Sequence, residues 1–149
     1  MPRMTCRKVG ATKLYHEFRS QTEIEEQNQL TKDIGKAASY VRSLLPRPIH
    51  EENLATQWRF IPSAELGGDA FGYHWIDPEH FAIYLVDVCG HGAGSSLHAV
   101  AVINSLRQRA LADVDFRSPK KVLEGLNKAY PMEDYAGMYF TIWYGIYKP

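Results

Sequence analysis

Two runs rich in β-branched and aromatic residues, 70–76 and 81–86, flank the tetrapeptide Asp77-Pro78-Glu79-His80. Such runs form strands, and Asp-Pro followed by polar residues is turn chemistry. Four residues suit a hairpin and are too few for a crossover. With the turn centred near Pro78, Asp69 faces Asp87 across the antiparallel pair. Directly opposed residues there have Cα atoms roughly 4.5–5.5 Å apart. Two carboxylates side by side repel, and a divalent cation or a shared proton removes the cost. Gly67 and Gly68 precede the first acid, and Gly90, Gly92 and Gly94 follow the second. They leave the backbone unobstructed, so carbonyls and waters can complete an oxygen shell. Hard oxygen donors point to Mg²⁺ or Mn²⁺ rather than zinc. In the alternative reading the two acids cap turns and the glycines supply positive φ.

Other uses of these glycines fail on spacing. The run 90–95 has its third glycine one residue too early for G-x-G-x-x-G. No Gly-Lys-Ser/Thr occurs, so there is no P-loop. Ser95 and Ser96 lack the G-x-S-x-G frame of a nucleophile elbow. His74, His80 and His98 fit no common metal spacing, and Cys89 reads as a small buried residue rather than a reactive thiol.

The 149 residues suffice for one ordinary domain. Apolar residues at 45% and charged residues at 23% are globular values. Seventeen basic residues balance 17 acidic ones, which argues against a whole-chain grip on nucleic acid or anionic lipid. No apolar run is long enough to span a bilayer, and no signal-peptide core is visible at the start. Two cysteines, Cys6 and Cys89, suggest a reducing, cytoplasmic setting.

Residues 1–20 carry five basic side chains against Glu17 alone and read as a solvated, flexible arm. Residues 21–48 read as a linker helix stopped by Pro46 and Pro48. Its seam of Leu30, Ile34, Ala37, Val41 and Leu44 suits packing on its own domain or the end of a signalling coiled coil. The domain proper is expected over 49–149. Alternation at Leu54, Thr56, Trp58 and Phe60 predicts a strand, and helices are expected over 95–112 and 119–130. Ser118 is the natural N-cap of the second helix, with Pro119 at its first position. Residues 138–147 are apolar and aromatic at both alternating sets of positions, as in a strand buried on both sides. The tryptophans Trp58, Trp75 and Trp143 read as core.

Several pieces stand in a distinctive order: Ala37-Ala38 to Leu44-Leu45-Pro46, Ile61-Pro62 to Gly67-Gly68-Asp69, and Asp87-Val88-Cys89-Gly90-His91-Gly92 running into a helix. Asp115-Phe116 to Leu126-Asn127 and Tyr139-Phe140-Thr141 follow. With these the chain resembles the SpoIIE/RsbU-type branch of the PPM (metal-dependent, type 2C-like) protein serine/threonine phosphatases over roughly residues 37–147. The resemblance implies an α+β fold, a PPM-like antiparallel β-sandwich flanked by helices. It implies that Asp87 bridges two Mn²⁺ or Mg²⁺ ions, that the Val88 carbonyl binds the second, and that Asp69 stands beside that metal. A water shared by the two metals would attack the phosphorus of a phosphoserine or phosphothreonine on a signalling partner, such as an anti-sigma-factor antagonist. His91 is a candidate proton donor to the leaving oxygen.

The family pattern adds further acids in a later T-D-G-type motif. Here no T-D-G follows Tyr144 and no acid follows Asp134. The sequence therefore predicts the N-terminal part of such a domain, with its C-terminal portion missing. It further predicts little activity by itself and an exposed strand edge that favours a homodimer. The rival reading is a non-catalytic, partner-binding regulatory module.

Overall fold

The computed structural model describes residues 8–62 and 65–149, with side chains from residue 16 onward. Residues 1–7 of the expected arm, and positions 63–64 between Pro62 and Gly67, lie outside the described residues. In chain order the elements are α1 (Lys8–Ser43), β1 (His50–Glu51), β2 (Leu54–Ala55), β3 (Gly67–Asp77), β4 (His80–His91), α2 (Ala93–Arg107), α3 (Pro119–Ala129), a 3-10 turn (Met132–Tyr135) and β5 (Phe140–Tyr147). The class is α+β. The chain divides into two compact units, Met1–Lys36 and Ala37–Pro149.

In the first unit the described residues are helical. α1 therefore runs through residues 8–20, where a flexible arm is expected from the charge pattern. These residues contain no proline, and local pairs hold the surface further along: Arg19 bonds Glu23 at 3.2 Å and Gln29 bonds Asp33 at 3.0 Å. Phe18, Ile24 and Leu30 are exposed. In the second unit Ala38 is buried, while Val41 and Leu44 of the expected seam are half-buried.

The second unit is built on an antiparallel sheet in the order β3-β4-β5. Strand alternation gives the sheet two faces of different character. Ala82, Tyr84, Val86 and Val88 of β4 and Tyr144 of β5 point into one core with Ala99, Val102, Ile103 and Leu106 of α2 and Val122 and Leu126 of α3. The other face carries Phe71, Tyr73, Trp75, Phe81, Ile83, Leu85, Trp143 and Tyr147. On it Phe81 is fully buried between the rings of Tyr73 and Trp75, at 5.6 and 5.0 Å, yet Leu85 and Trp143 are each 55% exposed. β5 is thus covered on one side only, against the expectation of double burial. Its apolar outer positions are exposed, and none of the three tryptophans belongs to the buried core: Trp143 and Trp58 are exposed and Trp75 is half-buried on the outer face.

The other sheet is the ribbon of β1 and β2, so the described residues build one extended layer of the expected sandwich. The strand expected from Leu54 to Phe60 stops at Ala55. Beyond it, single anchors replace a ladder. Thr56 Oγ1 accepts from Ile49 N at 2.7 Å, and Trp58 Nε1 donates to the Pro46 carbonyl at 3.1 Å. The Trp58 ring meets Phe71 edge-on at 5.0 Å. Period-two alternation here reflects aromatic side chains laid on the sheet, without strand pairing.

α2 ends at Arg107, short of the expected 112, because Arg109 turns left-handed at φ 53° and Ala110 N bonds back to the Ser105 carbonyl at 2.9 Å. α3 begins at Pro119 as expected, although the Ser118 side chain makes no capping bond.

Two buried histidines set a pH dependence. The Nε2 atoms of His74 and His98 are buried without a hydrogen-bond partner. Burial pushes both rings below the ordinary histidine value, and for His74 the nearby Arg109 and Arg107 charges add to this. The unfolded chain takes up protons near pH 6.5 that these sites resist in the folded state. Stability should therefore fall as pH drops below about 6.5, and His98→Phe should flatten that fall. Urea midpoints measured at several pH values test this, and a fall unchanged in the variant would count against it.

Candidate functional site

The observed β3–β4 register pairs Asp69 with Asp87, as the turn arithmetic predicts, and continues through Ala70 with Val86 to Trp75 with Phe81. The turn itself is pinned by the Asp77 carboxylate, which accepts from Glu79 N at 2.9 Å and contacts His80 Nδ1 at 2.7 Å. His80 thus has a structural place in the turn. The His80 ring and the Glu79 amide hold Asp77 below the usual carboxylate range.

At the open end the register shifts. Gly67 pairs with His91 and Asp69 with Asp87, so Gly68 alone stands against residues 88–90. This is a bulge on β4, a device that re-aims backbone groups. Gly90 adopts φ 83° and Gly92 φ 91°, values that favour glycine. A Cβ on Gly68 would run into the Val88 carbonyl oxygen. Glycine at 68 therefore lets that carbonyl lie against the backbone next to Asp69.

Surrounding bonds fix the bulge. Gly92 N donates to the Leu66 carbonyl at 3.1 Å. Ser95 Oγ donates to the Cys89 carbonyl at 3.0 Å from the first turn of α2. Cys89 N donates to the Tyr139 carbonyl at 2.9 Å, and Tyr139 N donates to Cys89 Sγ at 3.3 Å. Cys89 is half-buried, and its sulfur serves as an acceptor beside the site. Nothing in the sequence pattern marks the Tyr139 clamp. Ser95 is marked only by following the glycine run.

Asp69 shows the electrostatic consequence. Partial burial first, and then the facing Asp87 charge and a hydrogen bond to Asp87, raise its carboxyl above the ordinary value. Asp69 therefore takes up a proton more readily than an ordinary aspartate. Two crowded carboxylates and a backbone carbonyl held against Gly68 are hard oxygen donors, and this set fits a divalent cation. Among the described residues no group of three or more His, Cys, Asp and Glu side chains is arranged to hold a metal. The residues present would therefore supply at most part of a shell. His91 is exposed at the end of β4, opposite Gly67. Arg107 donates to the Leu44 carbonyl.

Among the described residues no helix is long and apolar enough to cross a membrane.

Residues 77–149 match the family model described as Stage II sporulation protein E (SpoIIE). The match includes Asp87, Val88 and His91 and begins after Asp69. Phosphoserine phosphatase RsbP of Bacillus subtilis (strain 168) is 32% identical over 97 residues, or 65% of this chain and 23% of that protein. The chain thus spans less than a quarter of that relative's length.

Proposed function

We propose, from the premise that this chain carries part of a SpoIIE/PPM-type domain, that it contributes one half of a metal-dependent phosphatase site acting on phosphoserine or phosphothreonine of a signalling protein. The supporting observation is the pairing of Asp69 with Asp87 beside the Val88 carbonyl. We assign residues 49–149 to the phosphatase-type portion, 21–48 to a linker helix, and a cytoplasmic setting to the whole. In this reading Asp87 and Asp69 hold Mn²⁺ or Mg²⁺ with the Val88 carbonyl. His91 gives its proton to the leaving seryl oxygen. A bound divalent ion there would neutralise phosphoryl charge and acidify a water. Gly68, Gly90 and Gly92 keep side chains out of the space the phosphoryl group needs. Self-association through the exposed Leu85 and Trp143 face belongs to the same proposal.

The test is thermal unfolding with and without Mn²⁺. A cation that binds only the folded chain should stabilise it by about 2–3 kcal/mol at roughly 100 times its Kd. Asp87→Asn should erase the rise, and so should Asp69→Asn. In EDTA, Asp69→Asn should stabilise slightly at neutral pH, because the raised pKa means the charged pair opposes folding above it. No Mn²⁺-dependent rise in the unsubstituted chain would sink the metal assignment.

One observation favours the second reading, a non-catalytic partner-binding module: the absence of a third acidic ligand among the described residues. It predicts little or no turnover of p-nitrophenyl phosphate by this chain with Mn²⁺. Turnover abolished by Asp87→Ala would eliminate it.

A further inference from the structure

A cleft of about 350 Å³ opens beside the end of β5, lined by Asn127, Tyr130, Pro131, Met132, Glu133, Tyr139 and Phe140. Its walls are aromatic and its only charged lining side chain is an acid. The rings of Tyr130 and Phe140 stand nearly perpendicular, 83° apart with centroids 6.0 Å apart, and form a corner. The Tyr130 ring is held in place because its hydroxyl donates to the Ala101 carbonyl at 3.0 Å. Tyr139, 59% exposed, flanks the corner, and Glu133 is exposed on the 3-10 turn.

The cleft adjoins the candidate site through the backbone. Tyr139 is clamped to Cys89 by both its N–H and its carbonyl. Two residues later, Thr141 is the cross-strand partner of Asp87. Phe140 projects from the inner face of the sheet with Val88, whereas Asp87 and Thr141 project from the outer face, so a peptide at the carboxylate end of the hairpin reaches this cleft around the strand ends, past Tyr139.

Aromatic faces attract cations through their quadrupoles, and a nearby carboxylate adds direct charge attraction. We infer that this cleft takes a cationic side chain, arginine or lysine, of the phosphoprotein substrate close in sequence to the phosphorylated residue. The inference rests on the phosphatase reading for the identity of the ligand. Its charge complementarity rests on Glu133 and the rings alone. Arginine suits the corner best, because its planar guanidinium stacks on a ring face while its N–H groups reach a carboxylate.

The experiment uses ¹⁵N-labelled chain in Mg²⁺ buffer and two kinds of probe. N-acetyl-arginine-amide should shift amide signals of residues 127–140, and N-acetyl-norleucine-amide, of similar length and uncharged, should not. A phosphoserine peptide carrying arginine near the phosphate should bind about 3- to 5-fold more tightly than its norleucine counterpart, the size of one exposed cation–π contact with one surface charge pair. Glu133→Gln and Tyr139→Ala should each reduce that ratio, and both lie on exposed surface where the fold does not depend on them. Phosphate-dependent peptide binding with no preference for arginine would overturn the inference and leave the phosphatase reading intact. Arginine-amide shifts with no phosphate-dependent peptide binding would overturn the phosphatase reading, and with it the assignment of the cation to a phosphoprotein.

Discussion

Tyr84→Ala should destabilise the chain by about 3–5 kcal/mol, the cost of removing a fully buried aromatic ring. Tyr84 has no exposed surface and sits at the centre of the sheet's inner face. Its ring stacks on Tyr144 with centroids 6.1 Å apart and planes 8° apart. On the other side it packs against Gly72, where an added Cβ would meet the ring itself. The hole left by alanine is bounded by two strands and α2, and none of these can collapse into it without breaking the ladder. Tyr84→Phe should cost only about 1 kcal/mol. The hydroxyl lies 3.4 Å from His74 Nδ1, a weak contact, and Arg107 is its other polar neighbour. Burial pushes the phenol up to about 12 against the pull of Arg107, so it stays neutral at any working pH. Urea unfolding of both variants separates ring from hydroxyl. A Tyr84→Ala loss below about 1 kcal/mol would contradict the packing described.

The hairpin was legible because every local signal agreed. Residues 77–80 fixed the turn, the equal arms fixed the register, and Asp69 met Asp87 as a consequence. That kind of inference uses neighbours in sequence, where the chemistry of turns is local. Charge alone does not separate a solvated arm from the helix found over residues 8–20, because charged residues with few glycines and no proline also propagate a helix. Alternation beyond Ala55 marks a face and leaves the strand partner unspecified, so it does not fix a ladder there. The apolar pattern of β5 leaves its covering unspecified for the same reason. Trp143 and Tyr147 are apolar, but what covers an apolar face is not a local property. The Tyr139–Cys89 clamp joins residues 50 apart, and no spacing rule reaches that far.

Gly68→Ala should leave the hairpin formed and uncouple its two acids. The argument is steric, because φ at Gly68 lies outside the range closed to other residues. A Cβ there meets the Val88 carbonyl oxygen, its carbon at 3.1 Å and the Val88 Cβ at 3.2 Å. These are mostly backbone atoms and cannot rotate aside, so β3 and β4 must part at the bulge. Forced accommodation of this kind costs about 1–3 kcal/mol. Two site-specific effects should accompany it. The Mn²⁺-dependent rise in thermal stability should disappear, because the Val88 carbonyl and Asp69 no longer share one edge. The Asp69 carboxyl should relax toward its ordinary value, because its rise depends on partial burial and on the facing Asp87. Carbon-detected NMR titration of the side-chain carboxyl reads the second effect directly. Gly67→Ala is the matched control. A Cβ at that position meets nothing nearer than Asp69 N at 4.0 Å, so stability, Mn²⁺ response and the Asp69 titration should all persist. If Gly68→Ala kept the Mn²⁺ response as fully as Gly67→Ala, the Val88 carbonyl would have no part in holding the cation, and the site would reduce to the two facing carboxylates.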